Sequence, residues 1–585
     1  MTKFTKIWNI IPNTVFDDRP KIEILKQYLK FLKINLMSDN PTISRKTASL
    51  LTVTDSAKKL FQIIYKRKNK TNDEDDTPKI KVSEIISKMA FFYEKIRNSV
   101  DYKEDHLLRK NAIQRILKRC IVIEGAIREQ KPEEIAKHLL TELIRATYLP
   151  NNSIKETKID EVAIIISKYI NFKKICLQKF NNDSGKKDKA VKWILALAAS
   201  EIEEKLSSNL VVQKIISDAY ELLNTNIKFP ELYQKDKEIQ IYIGIHKIYL
   251  KFDRDMLEYQ LFKYFVANWS IAKDDEILKV VNNLDQLRLS IDQQINHPLI
   301  IQLTKIINQY TVFYSVLNDV IEDDPVNVYE ELREDPIAFK RLIKKFCNKR
   351  YQLASARLKR AAVRSIIYIF LTKMVLVVLL EVPMASWFGE TLDYTSLVIN
   401  VCFPPLLLLM IVLFTRMPSD KNSARIVDGI EEIVFKEKQR HEPYELRQPV
   451  KRGRGSNMIF SILYAITFFL TFGLVVWFLD KINFTPVSIL IFLFFVTLVS
   501  FFGIIIKKMT KEMLVIEKKE NIFSLIIDFF FTPVIAVGKW LNEKFSHINV
   551  FVFVLDFIIE APFKIFVEIA EDWTKYIRER KEEIE

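Results

Sequence analysis

Between Asp335 and Met384 the sequence allows one unbroken helix that begins in water and ends in hydrocarbon, and this continuity constrains everything on either side of it. The first part, DPIAFKRLIKKFCNKRYQLASARLKRAAVR, is basic and water-soluble, and the second, SIIYIFLTKMVLVVLLEVP, is an apolar run long enough to cross a bilayer. No Gly or Pro separates the two parts. Asp335 suits an N-cap and Pro336 suits the first helical position. At 1.5 Å per residue the unit would be about 75 Å long. The chain before it reads as a soluble helical domain, and the chain after it reads as membrane.

Glycine is the residue that supplies turns, bulges and phosphate loops. The chain has only 10 in 585 residues, which points to an all-α fold and away from Rossmann and P-loop domains. The nearest approach to a phosphate loop, Ser184-Gly185-Lys186-Lys187, lacks the first glycine and the Ser/Thr after the lysine. A content of 49% hydrophobic and 28% charged residues fits two populations, one polar and one apolar, better than one average globule. Cys120, Cys176, Cys347 and Cys402 are scattered, with no CxxC and no Cys/His cluster, and the six histidines form no HExxH. Neither a disulfide framework, a metal site nor a cofactor is expected, and a reducing cytoplasm fits.

The first twenty residues contain no long apolar run, so no signal peptide is expected. Helical periodicity begins near Lys21, and Lys66–Lys79, KRKNKTNDEDDTPK, reads as a flexible linker. From Ile80 to Asp324 helix follows helix. The segment EIQIYIGIHKIYLKF alternates enough to pass for a strand, but its helical neighbours make it a helix. No fixed repeat is evident, so residues 1–334 are expected to form a large cytoplasmic helical bundle or irregular α-solenoid. The aromatic clusters Phe91, Phe92, Tyr93 and Tyr259, Phe262, Tyr264, Phe265 are expected in its core.

The basic half of the organising helix carries Lys340, Arg341, Lys344, Lys345, Lys349, Arg350, Arg357, Lys359, Arg360 and Arg364, with no carboxylate between Asp335 and Glu381. That is the pattern of a cytoplasmic flank under the positive-inside rule. A nucleic-acid surface would want base-stacking aromatics or a recognised module, and neither is present. Four spans are expected, at 364–383, 397–415, 458–479 and 486–506. The loop between the first two has no Lys or Arg, whereas the loop 416–456 is rich in them and ends in Lys451, Arg452 and Arg454. DKINFT carries one Lys, and KKMTKEMLVIEKK is basic again. All four comparisons place both termini in the cytoplasm. Trp387 and Trp477 then fall near the outer ends as interfacial anchors, and Ser423–Gln439 is expected to form an amphipathic helix in the inner loop. Lys344, Lys345, Lys349, Arg350, Arg357, Lys359, Arg360, Arg364, Lys451, Arg452 and Arg454 are the expected contacts to an anionic inner leaflet.

The tail, 521–585, holds two further apolar runs, each with an Asp-Phe pair (Asp528-Phe529, Asp556-Phe557) and a proline soon after (Pro533, Pro562). In the second, Asp556, Glu560, Lys564, Glu568 and Asp572 recur every fourth residue as a polar stripe. Re-entrant or interfacial amphipathic helices are the expectation, with two full spans as the alternative; an even number keeps the C-terminus inside.

The residues most open to chemistry are intramembrane charges. Lys373 lies mid-span, Glu381 follows eight residues on, and Asp528, Asp556 and Glu560 are candidate partners. These five read either as an ion or proton path or as a structural ion pair locking tail to first span. Pro404-Pro405 should kink the second span, or break it as transporter helices are broken around binding sites. No nucleophile–base pair, metal cluster or glycine-rich loop suggests an enzyme. The expected role is a membrane-anchored scaffold or interaction protein with a protein partner for its helical domain and no nucleic acid; a homo-oligomer is compatible. The alternative is a channel or ion-coupled transporter.

Overall fold

A computed structural model describes residues 51–69, 77–98, 104–126, 131–180, 183–207, 209–387, 394–415, 417–449, 453–516 and 522–547, with scattered helical residues from 566 to 583. The described chain is helical almost throughout, as the scarcity of glycine implies. In order come α1 (Asp55–Lys68), α2 (Glu84–Asn98), α3 (Asp105–Leu117), α4 (Pro132–Arg145), α5 (Thr157–Lys179), α6 (Ser184–Leu206) and α7 (Leu210–Asn226). They are followed by α8 (Lys237–Ile248), α9 (Arg254–Phe265), α10 (Asp274–Asn282), α11 (Leu284–Ile295), α12 (Ile300–Asp323) and α13 (Pro325–Glu334). The ambiguous segment EIQIYIGIHKIYLKF is helical over residues 238–248, within α8.

Two hydrophobic cores build the helical body. The first gathers α3 to α6 and α9 to α11 around Leu139, Ile166, Phe172, Phe262 and Trp269. Helix α4 illustrates why it forms: Ile135, Ala136, Leu139, Leu140, Leu143 and Ile144 repeat at helical spacing and are all buried. The second core joins α1, α7, α8, α12 and α13 to two elements from beyond residue 334. One is the start of α14 (Pro336–Leu376), which buries Phe339, Ile343, Phe346, Cys347 and Tyr351. The other is α16 (Asp420–Val434), which contributes Ile426, Val427, Ile430, Ile433 and Val434.

The inner loop is therefore part of the body. Gly429 allows it: a Cβ there would sit 2.2 Å from the Phe313 ring. Two backbone seams reinforce the join. The short parallel pair β1 (Ile227–Lys228) and β2 (Tyr444–Glu445) aligns Ile227 with Tyr444, and Val53 bridges Phe435. Asn422, 1% exposed, accepts from the backbone N–H of Val515 and Ile516 and donates to the Met513 carbonyl, which ties the chain after residue 511 to α16.

The organising helix is as continuous as its sequence suggests. Asp335 caps α14, accepting from the N–H of Ile337 and Ala338 at 3.0 Å. The helix then runs through a π-helical turn, Val377–Glu381, into a last piece, Val382–Trp387. Beyond it lie α15 (Tyr394–Leu413), α17 (Arg454–Lys481), α18 (Pro486–Lys511) and α19 (Ile522–His547). Among the described residues, and including the apolar end of α14, five helices are long and apolar enough to cross a membrane.

Four expectations change. Lys66–Lys68 belong to α1 rather than to a linker, with Arg67 paired to Glu322 and Lys68 donating to the carbonyls of Glu322 and Asp323; residues 70–76 lie outside the described residues. Phe91 and Phe92 are exposed on α2, while Tyr93, Tyr259 and Phe262 are in the core and Tyr264 and Phe265 are half-buried. The inner-loop helix begins at Asp420 and ends at Val434, before a short turn Lys436–Lys438. The first apolar run of the tail, expected as a re-entrant or interfacial amphipathic helix with a full span as the alternative, is a long apolar helix packed on α18. Its Gly538 meets the α18 backbone, where a Cβ would come within 2.1 Å of the Thr497 carbonyl oxygen. The six Cα–Cα steps from Ile516 to Ile522 span at most roughly 20 Å, so α19 starts on the side of the helical body. Gly538 is about 24 Å along α19 and Thr497 about 21 Å from the end of α18, the matching depths of an antiparallel hairpin.

Candidate intramembrane charge site

The sequence pattern that makes α14 apolar leaves two charges on it, and packing against α15 and α18 buries both completely. Lys373 and Glu381 are each 0% exposed. Glu381 closes the π-helical turn, a distortion that frequently marks functional positions. Its carboxylate accepts three hydrogen bonds from two groups. Asn400 Nδ2 of α15 reaches Oε1 at 2.8 Å and Oε2 at 2.9 Å, and the Ser488 hydroxyl of α18 donates to Oε1. Ser488 in turn accepts from the Thr485 hydroxyl at 3.0 Å. Thr485 is half-buried at the start of α18 and also caps it, accepting from the Ser488 N–H at 3.2 Å.

Lys373 lies two turns closer to the helical body. Its Nζ has no hydrogen-bond partner and rests 4.2 Å from the centroid of the Phe495 ring, a cation–π contact. No ion pair joins it to Glu381 or to any other carboxylate among the described residues. One turn further toward the body, Ile369, Leu408 and Val499 form an apolar plug. At the other end Leu479, Phe484 and Phe492 pack around the α17–α18 corner.

The double proline does not break α15, which stays helical from Tyr394 to Leu413 with Pro404 and Pro405 buried inside it. Missing N–H groups at 404 and 405 leave the carbonyls of Asn400 and Val401 without their helical donors. Asn400 Oδ1 is likewise buried without a partner. The site thus holds uncompensated acceptors at Asn400 and an uncompensated donor at Lys373, and such groups are costly in apolar surroundings.

Of the expected charged set, Lys373 and Glu381 share this core. Asp528 is exposed on α19 and is not among the partners of Lys373, so it forms no lock to the first apolar helix. Asp556 and Glu560 lie outside the described residues. Of the expected lipid contacts, Lys344, Lys345, Lys349, Arg357, Lys359, Arg360 and Arg364 are exposed along α14. Arg350 is not: it pairs with Asp319 at 2.6 Å and donates to the Ser315 carbonyl, because its position faces α12. Lys451 and Arg452 lie outside the described residues, as does the Arg454 side chain. Asn400, Ser488 and Thr485 were not singled out from sequence; one signal was available, since they are polar residues within or bordering apolar runs.

Among the described residues these features define an almost wholly helical protein whose five apolar helices are compatible with a membrane protein. Among the described residues no group of three or more His, Cys, Asp or Glu could hold a metal ion. No protein-family model, no curated protein and no solved structure matches the chain.

Proposed function

We propose that this is a multi-pass membrane protein that acts as a membrane-anchored scaffold, presenting its helical body to a protein partner beside an anionic inner leaflet. The observation that carries this reading is that α14 belongs both to the second core of the body and to the apolar bundle, while α16 returns into that core. A body held by two such connections has a fixed attitude to the bilayer, which a tethered domain would lack. The exposed cations of α14 nearest its apolar part, Arg357, Lys359, Arg360 and Arg364, supply about 1 kcal/mol each toward anionic lipid. In this topology α14, α15, α17 and α18 cross and both termini are cytoplasmic.

A single-cysteine test decides the orientation. On intact cells an impermeant maleimide should label cysteine at Thr391 and spare cysteine at Gln439; the reverse pattern refutes the topology. The scaffold reading expects a stoichiometric partner on the chain purified in mild detergent, kept by Lys373→Met and lost when the body is removed. A second reading, a channel or ion-coupled transporter, is favoured by two charged residues buried in an apolar bundle, Glu381 and Lys373, the latter without a hydrogen-bond partner. It expects ion flux in proteoliposomes that Lys373→Met alters.

A further inference from the structure

We propose that Glu381 is a proton-exchange site loaded through the hydroxyls of Thr485 and Ser488, from the end of the bundle that faces away from the helical body. The inference rests on the ion-coupled reading and names its ion. Three observations carry it. The carboxylate is fully buried, yet the Thr485–Ser488 hydroxyl pair connects it to a half-buried position at the α17–α18 corner. Each hydroxyl donates toward Glu381, the polarity needed to hand protons inward. The other direction is closed by Phe495 beneath Lys373 and by the plug of Ile369, Leu408 and Val499. Helix α18 is about 39 Å long and its far end is held at Asn422, so the corner lies well away from the body.

The transfer balances. A hydronium ion at the corner gives a proton to Thr485 Oγ1 and becomes water. Thr485 passes its own proton to Ser488 Oγ, and Ser488 passes its own to Glu381 Oε1. One O–H bond forms and one breaks at each hydroxyl, and the net change is one proton added to the carboxylate. The charged groups facing the site are few. Lys373 is on the same helix, α15 brings only half-buried Cys402 and exposed Tyr394, and α18 brings no titratable side chain between Pro486 and Ile506.

The test is infrared pH-difference spectroscopy on the full chain in lipid vesicles, read in the carboxylic-acid C=O region, with exchange of that band followed in D2O. The wild type should show a band that grows on acidification and is absent in Glu381→Gln, whose melting and helix content should match the wild type. Ser488→Ala and Thr485→Val should slow its exchange by an order of magnitude or more, and Ser488→Thr should restore it. Absence of any titrating band that Glu381→Gln removes overturns the site. A band that responds to sodium at constant pH overturns the choice of proton. Unchanged exchange in both hydroxyl variants overturns the route. A titrating band without proton flux supports the site and refutes the transport reading separately.

Discussion

Gly429 clamps the loop between two apolar helices onto the helical body, and replacing it tests whether the body and bundle are joined as described. In α16 a Cβ at this position would lie 2.2 Å from Cε2 and Cζ of Phe313. Ordinary carbon–carbon contact is about 3.5–4.0 Å, so the ring must retreat by more than about 1 Å. It has little room, since Phe313 is 0% exposed, stands edge-on to Tyr310 at 5.5 Å and lies beneath the Arg425 guanidinium. Overpacking of this kind costs about 1–3 kcal/mol. Replacing a helical Gly by Ala returns about 1 kcal/mol. Gly429→Ala should therefore destabilise by about 1 kcal/mol, and Gly429→Val by more, because β-branching reduces the propensity gain while the clash grows. Gly185→Ala is the control, as its Cβ would meet only Asp183 Oδ1 at 3.6 Å. Thermal melting of the solubilised chain gives the stability, and limited proteolysis within 416–453 reports release of α16. Phe313→Leu combined with Gly429→Ala should recover part of the loss, since the two sites touch. If Gly429→Ala melts at or above the wild type and the loop stays protected, the clamp is refuted.

Three further outcomes are expected. Burial pushes the His246 imidazole down to about 4 from its usual 6.5. The unfolded chain thus binds more protons between those values, so stability should fall as pH drops from about 6.5 toward 4, and His246→Gln should flatten that slope in a pH series of melts. Asp528→Asn should leave melting unchanged within about 0.5 kcal/mol because Asp528 is exposed and unpaired with Lys373; a large loss, rescued by adding Lys373→Met, would restore the structural lock that the geometry denies. Gly538→Val should disrupt the α18–α19 hairpin, since its side chain would strike the Thr497 backbone, which has no rotamer to change; loss of a cysteine cross-link engineered between the two helices would report it, and an intact cross-link would count against the hairpin.

The fold class and the organising helix are legible in the order of residues alone. Ten glycines and the 3.6-residue periodicity require helices. A helix cap at Asp335, with no breaker before Pro383, requires continuity across the change from basic to apolar. Lys373 and Glu381 were legible because charge within an apolar run stands out against its surroundings. Tertiary structure decided the rest, since it depends on which faces meet at long range. Only packing brings Asn400 and Ser488 to Glu381, separated from it by 19 and 107 residues. Only packing leaves Asp528 exposed, pairs Arg350 with Asp319, and seats Phe313 where Gly429 has no side chain. Periodicity marks a face as apolar but carries no record of its partner, so the loop 416–456 reads as a connection in sequence and becomes part of a core in space.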